Sequence, residues 1–232
     1  MEPVTLITGG STGIGAATAL QLLKAGHRVT ITARDTDRLA EFRARAGADD
    51  SQLMTLPGDT SDAEHVQAAV RLTVQSWGRL DNVIANAGFS LPGTLADHHP
   101  EAMRAMILTN VLGPALVVQA ALPHLKDSQG RLVLVGSVAG VKNSPGNLYS
   151  VTKWAVHALA ENTRMMVTGD QVGVTLIAPG MVDTPFWDNR GGKPQHPTMT
   201  ADQIADSILF ALNQPPGMDI NHIQMRPLGQ AN

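Results

Sequence analysis

Short continuous apolar runs alternate along this chain with longer amphipathic stretches, and that alternation constrains the fold more than any other feature. Residues 4–8, 29–33, 53–57, 82–85, 132–136 and 172–177 form strand-length runs, several of them unbroken. Unbroken apolar strands belong to sheets covered on both faces. Residues 15–24, 37–45, 62–77, 101–121 and 149–167 carry helical periodicity. Ser61 and Glu64 stand at capping-box spacing, as do Thr200 and Gln203 ahead of a last helix. A final short strand is predicted at 220–225. Strand alternating with helix calls for right-handed crossovers. The pattern therefore predicts an α/β fold, a doubly wound parallel sheet in a single domain spanning residues 1–232.

At 232 residues the chain can build a core that needs no staples, and it has no cysteine for disulfides or thiolate metal sites. A net charge of −3 offers no basic field to nucleic acid or to an anionic membrane. The start, Met1-Glu2-Pro3, lacks the basic region of a secretory signal. No apolar run approaches the length of a membrane span. The expectation is a cytoplasmic protein with no nucleic-acid or membrane partner. Residues 186–199 hold Gly191, Gly192, Pro194 and Pro197 and are too irregular for an element. A long loop of this kind is a candidate substrate-binding loop.

The first run ends in Thr8-Gly9-Gly10-Ser11-Thr12-Gly13-Ile14-Gly15 and passes directly into a helix. Glycines there let the backbone turn sharply and let a ligand approach it, while helix N-terminal amides face a pyrophosphate. That placement predicts dinucleotide binding on a Rossmann fold. The second run ends on Ala33, followed by Arg34 and Asp35. An acid at this point binds a ribose 2′-hydroxyl, and an arginine accommodates a 2′-phosphate. Arg34 favours NADP(H). NAD(H) is the alternative if Asp35 serves a ribose, and Asp35 could equally cap the following helix.

Tyr149 and Lys153 are spaced to share one helix face. A phenol, with a solution pKa of about 10, needs help to move protons at neutral pH, and a nearby ammonium lowers that pKa. Ser137 follows a predicted strand, where its hydroxyl could bind a carbonyl oxygen. Alone, the tyrosine–lysine pair is a common surface arrangement. Beside the glycine turn it gains a hydride donor.

The order of these pieces is Thr8 to Gly15, Asp59-Thr60, Asn86-Ala87-Gly88, Asn110, Ser137, Tyr149, Lys153 and Pro179-Gly180. In that order the chain resembles, over essentially its whole length, the short-chain dehydrogenase/reductase family in its classical branch. The resemblance implies an oxidoreductase that interconverts a secondary alcohol and a carbonyl. It implies catalytic roles for Asn110, Ser137, Tyr149 and Lys153. Tyr149 is the acid in reduction and the base in oxidation. Ser137 polarises the substrate carbonyl. Lys153 binds the nicotinamide ribose and lowers the tyrosine pKa. Asn110 holds a helix bulge and a water of a proton relay.

For the cofactor, the resemblance implies Gly9, Ser11, Thr12, Gly13, Ile14 and Gly15 in the turn, and Arg34 at the adenosine end. Asp59 contacts the adenine and Thr60 follows it, and Asn86, Ala87 and Gly88 follow the fourth strand, with Asn86 supporting the turn. Pro179, Gly180, Val182 and Thr184 complete the set, Thr184 at the carboxamide. In similar enzymes Ala33-Arg34 goes with NADPH. Two departures stand out. The stretch from Ser137 to Tyr149 is one residue shorter than usual, within 142–148, and Gly10 stands where many relatives have alanine.

His98-His99 lies in a loop without metal-ligand spacing, so no metal site is expected. Phe89, Ser90 and Leu91 follow the fourth strand, at the end where open parallel sheets bind ligands. Phe186 and Trp187 could cover a substrate, and Arg190 and Lys193 could meet an acidic one, although a solvated charged loop is the simpler reading. The ending Asp219-Ile220-Asn221-His222-Ile223 with Arg226-Pro227 resembles a subgroup acting on small 3-hydroxy acids with NADP. Similar proteins are homo-oligomers, dimers or tetramers. Two rivals are a nucleotide-sensing protein without turnover and an extended-branch sugar-nucleotide epimerase. The catalytic residues argue against the first, and the lack of a substrate domain after Ile177 argues against the second.

Overall fold

Five-residue strand β1 (Val4–Thr8) is wholly buried, and the computed structural model, which describes residues 2–190, 192 and 195–230, places it inside one parallel sheet. Around it lie β2 (Arg28–Ala33), β3 (Leu53–Pro57), β4 (Asn82–Ala85), β5 (Arg131–Val135), β6 (Gly173–Pro179) and β9 (His222–Met225). The order β3-β2-β1-β4-β5-β6-β9 reverses direction between β1 and β4. That reversal is the switch point of a doubly wound Rossmann sheet, where the strand ends open a crevice for a ligand. The pairing is parallel throughout, with Thr8 level with Thr32 and Ala85.

Strand residues divide alternately between two cores. Val4, Leu6, Val83, Leu132 and Leu134 pack with α3 (Ala63–Trp77), α5 (Gly113–Ser128) and α6 (Leu148–Val167). Ile7, Ile31, Ile84, Val133 and Ile177 pack with α1 (Gly13–Lys24), α2 (Thr36–Ala46) and α7 (Ala201–Leu212). Each face thus buries its own row of side chains, which is why the strands read as unbroken apolar runs.

The helix predicted at 101–121 is longer and not uniform. α4 (Pro100–Ile107) runs through a π turn at Leu108–Leu112 into α5, forming one continuous helix from Pro100 to Ser128. A proline ring inside a helix collides with the carbonyl four residues earlier. Pro114 stands four residues after Asn110, so the widened turn relieves that collision. By length and hydropathy this helix could cross a membrane, contrary to the expectation from the sequence. Here Val117, Ala121 and Leu125 are buried in the core of the fold.

Ser61 does not cap α3. Asp62 does, accepting from the Glu64 amide at 2.9 Å, while the Ser61 hydroxyl donates to Asp59. The carboxylate one residue nearer the helix takes the amide, and the hydroxyl is drawn off by a second acid. Thr200 and Gln203 form the predicted capping box. Residues 186–199 are less irregular than expected. A 3-10 helix covers Pro185–Arg190, and short strands β7 (Val182–Asp183) and β8 (Met199–Thr200) pair beside it. Gly191, Lys193 and Pro194 lie outside the described residues.

Candidate active site

A cleft of about 570 Å³ opens at the carboxyl ends of β1, β2, β4 and β5. Its walls include Gly9, Ser11, Thr12, Gly13, Ile14, Arg34, Asp59, Thr60, Asn86, Ala87, Gly88, Ser137, Tyr149, Lys153, Pro179, Gly180, Val182 and Thr184. The fold thereby gathers nearly all of the predicted site. Gly15 and Asn110 act from behind the wall.

The glycine turn has the shape that a dinucleotide needs. Gly9 and Gly13 have φ of 66° and 54°, in the left-handed region that a side chain disfavours. A Cβ on Gly15 would strike the Gly9 carbonyl and lie 2.6 Å from Asn86 Nδ2. Asn86 ties the turn down, since its Nδ2 donates to the carbonyls of Thr8 and Gly9, each at 3.0 Å. Thr12 stands at the N-cap of α1 but makes no capping bond with its side chain, which leaves the first amides to a ligand.

Asp35 turns out to be the cap of α2. One carboxylate oxygen accepts from the amides of Asp37 and Arg38, each at 3.0 Å. Arg34 lines the cleft and is only loosely paired, at 3.9 Å from Asp59. Arg38, which the sequence reading did not single out, lines the cleft beside it. The signal was available: Arg38 is four residues past Arg34, on the first turn of the helix that Asp35 starts.

At the opposite end, Ser137, Tyr149 and Lys153 converge. Burial pushes the Tyr149 phenol up to about 12, opposed by a hydrogen bond with Ser137 and by the charge of Arg190. Lys153 donates from Nζ to the Val135 carbonyl at 2.8 Å, 5.7 Å from the Tyr149 ring centre. Burial brings its own pKa down to about 8. The groups that oppose the phenol's burial are Ser137 and Arg190.

Asn110 lies in the π turn and is fully engaged. Its Oδ1 accepts from the Phe89 amide at 3.0 Å, and its Nδ2 donates to the Phe89 carbonyl and the Thr152 hydroxyl. It clamps the segment after β4 against α6. Phe89 and Ser90 line the cleft, whereas Leu91 offers only its carbonyl to the Ser90 hydroxyl. Phe186 packs on Tyr149 with ring centres 5.5 Å apart, Trp187 stands edge-on to Phe186, and Arg190 lies over both outer rings. The segment 142–148 is firmly tied. The Lys142 carbonyl accepts from Ser150 and Trp154, and the Gly146 carbonyl accepts from the Leu95 amide. His98 bonds the Pro92 carbonyl, and His99 precedes the first turn of α4.

A switch-point crevice with a glycine turn at one end and a serine, tyrosine and lysine at the other defines a dinucleotide-dependent oxidoreductase fold. The short chain dehydrogenase family model matches residues 3–194. An uncharacterised oxidoreductase of Staphylococcus saprophyticus is 33% identical over 232 residues, covering 98% of each chain, and one from Staphylococcus epidermidis is 31% identical over 229. The chain belongs to the short-chain dehydrogenase family. Among solved structures, an alcohol dehydrogenase from the archaeon Thermococcus sibiricus, complexed with 5-hydroxy-NADP, superposes with a TM-score of 0.89 at 29% identity, over 100% of this chain and 99% of its own. ElxO with NADP bound gives 0.87 at 27% identity, over 97% and 98%.

Proposed function

We propose that this protein interconverts a secondary alcohol and a carbonyl compound with NADP(H), using Tyr149 as general acid and base. The observation that carries this reading is the convergence of Ser137, Tyr149 and Lys153 at one end of a cleft whose other end presents Arg34 and Arg38. The NADP-bound state of two similar structures supports the choice of cofactor. So does the engagement of Asp35, which caps α2 and holds Arg38 at 3.5 Å, leaving Arg34, paired only at 3.9 Å with Asp59, to meet a 2′-phosphate. Bound in this cleft, the nicotinamide would supply or accept the hydride.

The chain's own residues manage the proton and the oxygen. The Ser137 hydroxyl and the Tyr149 O–H aim at one oxygen and stabilise the charge that develops on it. With a pKa near 12, Tyr149 holds its proton at neutral pH and is ready to donate in reduction. In oxidation the same group must first lose that proton. Lys153 would hold the nicotinamide ribose, and Asn110 keeps Phe89 and α6 in register. The substrate is a small hydroxy acid or a simple ketone or aldehyde. Phe186 and Trp187 supply apolar walls, and Arg190, with no carboxylate partner among the described residues, suits an acid group.

The test is a panel of ketones, aldehydes and oxo acids assayed with NADPH and NADH in parallel, for wild type and Tyr149→Phe. Turnover should vanish in the variant while NADPH still quenches protein fluorescence. A wild type that binds NADPH but reduces nothing would support the nucleotide-sensing alternative.

A further inference from the structure

We infer that His157 is a positioning residue for Ser137: it holds the serine's main-chain carbonyl from α6, and so sets where the hydroxyl meets Tyr149. This inference rests on the catalytic reading of Ser137 given above.

His157 does not line the main cleft. It opens on a separate cavity of about 260 Å³ between α6 and the β6 side of the sheet, with Glu161, Arg164, Val174, Asn221 and His222. From there its Nε2 lies 3.0 Å from the Ser137 carbonyl oxygen. A carbonyl only accepts, so this nitrogen carries the proton. The ring is wedged. A Cβ on Gly136 would lie 2.8 Å from Nε2, and one on Gly140 would lie 2.5 Å from it. The two residues that bracket the Ser137–Ala139 turn are therefore bare where the imidazole passes. The His222 ring stands edge-on at 5.6 Å and limits tilting.

The bond is one of a row. Along one face of α6, Lys153 donates to the Val135 carbonyl, His157 to that of Ser137, and Ser150 to that of Ala139. Alternate carbonyls at the end of β5 are thus gripped by a single helix, the helix that carries Tyr149. Catalytic groups on two elements keep their separation only if those elements are tied together, and this row is the tie. The groups facing the imidazole also favour its neutral form. Burial, His222 and Lys153 together outweigh the Ser137 carbonyl and pull its pKa down to about 4. The donor is thus constant across the working pH range.

Loss of the imidazole need not unfold the chain, because the Ser137 carbonyl also accepts from the Gly140 amide at 2.9 Å. What is lost is a positional constraint. The experiment compares His157→Leu, which keeps an apolar filler, with His157→Gln, whose amide can donate to the same carbonyl. Each is made in the wild type and in Ser137→Ala. With NADPH and the carbonyl compound that wild type reduces fastest, His157→Leu should lower kcat roughly tenfold and leave NADPH affinity within twofold. His157→Gln should recover most of the rate. In the Ser137→Ala background, His157→Leu should cost almost nothing further, because its effect runs through the missing hydroxyl.

Crystal structures of the two variants should show the Ser137–Ala139 turn displaced with leucine and in place with glutamine. An unmoved turn in the leucine variant, an unchanged kcat, or an undiminished penalty in Ser137→Ala would each overturn the inference. An inactive wild type would instead defeat the proposed function. In that case the turn geometry alone decides the role of His157.

Discussion

Lys153 is buried against the Val135 carbonyl, and burial brings its pKa down from 10.5 to about 8. Between those two values the unfolded chain holds a proton that the folded chain has released. Stability therefore rises as pH climbs from about 8 towards 10.5, and below 8 the protein carries the full cost of a buried ammonium. Lys153→Met removes that cost. The ligand-free variant should melt several degrees above wild type at pH 7, with the gap closing near pH 10. A gap that is independent of pH would show that the ammonium is not the source. At the far end of the cleft the decisive group is Arg34. Replacing it by alanine should raise KM for NADPH by about ten- to a hundredfold, the worth of a charge-assisted contact, and leave KM for NADH nearly unchanged. Equal loss with both cofactors would mean that the guanidinium does not meet a 2′-phosphate.

Between the sheet and these side chains stand elements whose local sequence shapes the site. The π turn at Leu108–Leu112 presents Asn110 to the Phe89 backbone, which has no place in a regular ladder. Asn110→Leu keeps the volume but strips partners from the half-buried amide and carbonyl of Phe89. The cost should be about 1–3 kcal/mol, a fall in melting temperature of roughly 2–12 °C. A change under about 1 kcal/mol would show that Phe89 finds other partners. The helix was legible in its periodicity, and the bulge at Asn110 was implied by the family resemblance. Its full extent to Ser128 was not, because the turn after Ala121 gains its helical state from packing of Leu122 and Leu125 on the sheet. Asp62 displaced Ser61 as cap for a similar reason. Spacing proposes a cap, and competition between neighbouring acceptors decides it. His157 lay one turn past Lys153 on the same face, but no periodicity distinguishes a histidine that meets a carbonyl from one that meets water.

For the molecule as a whole, the parallel sheet, its switch point and the gathering of the glycine turn with Tyr149 and Lys153 could be read from the chain. Each follows from local pattern and connection rules. The surface could not be read in this way, since exposure depends on which faces the helices turn outward. α6 turns out Val151, Trp154 and Met165 along one stripe, with Val151 58% exposed, and the neighbouring α4–α5 helix adds Ile107 and Leu112. Large apolar side chains exposed on neighbouring helices are a pattern shared with subunit interfaces. A two-fold axis would pair the stripe with itself and make an isologous contact. The expected species in solution is therefore a dimer or tetramer of the 24.5 kDa chain. Light scattering on wild type and on Val151→Glu with Met165→Glu tests this. The double variant would bring four carboxylates into a dimer contact, so it should fall to the monomer mass while keeping the wild-type circular dichroism. A wild type already at the monomer mass would show that the stripe serves some other contact.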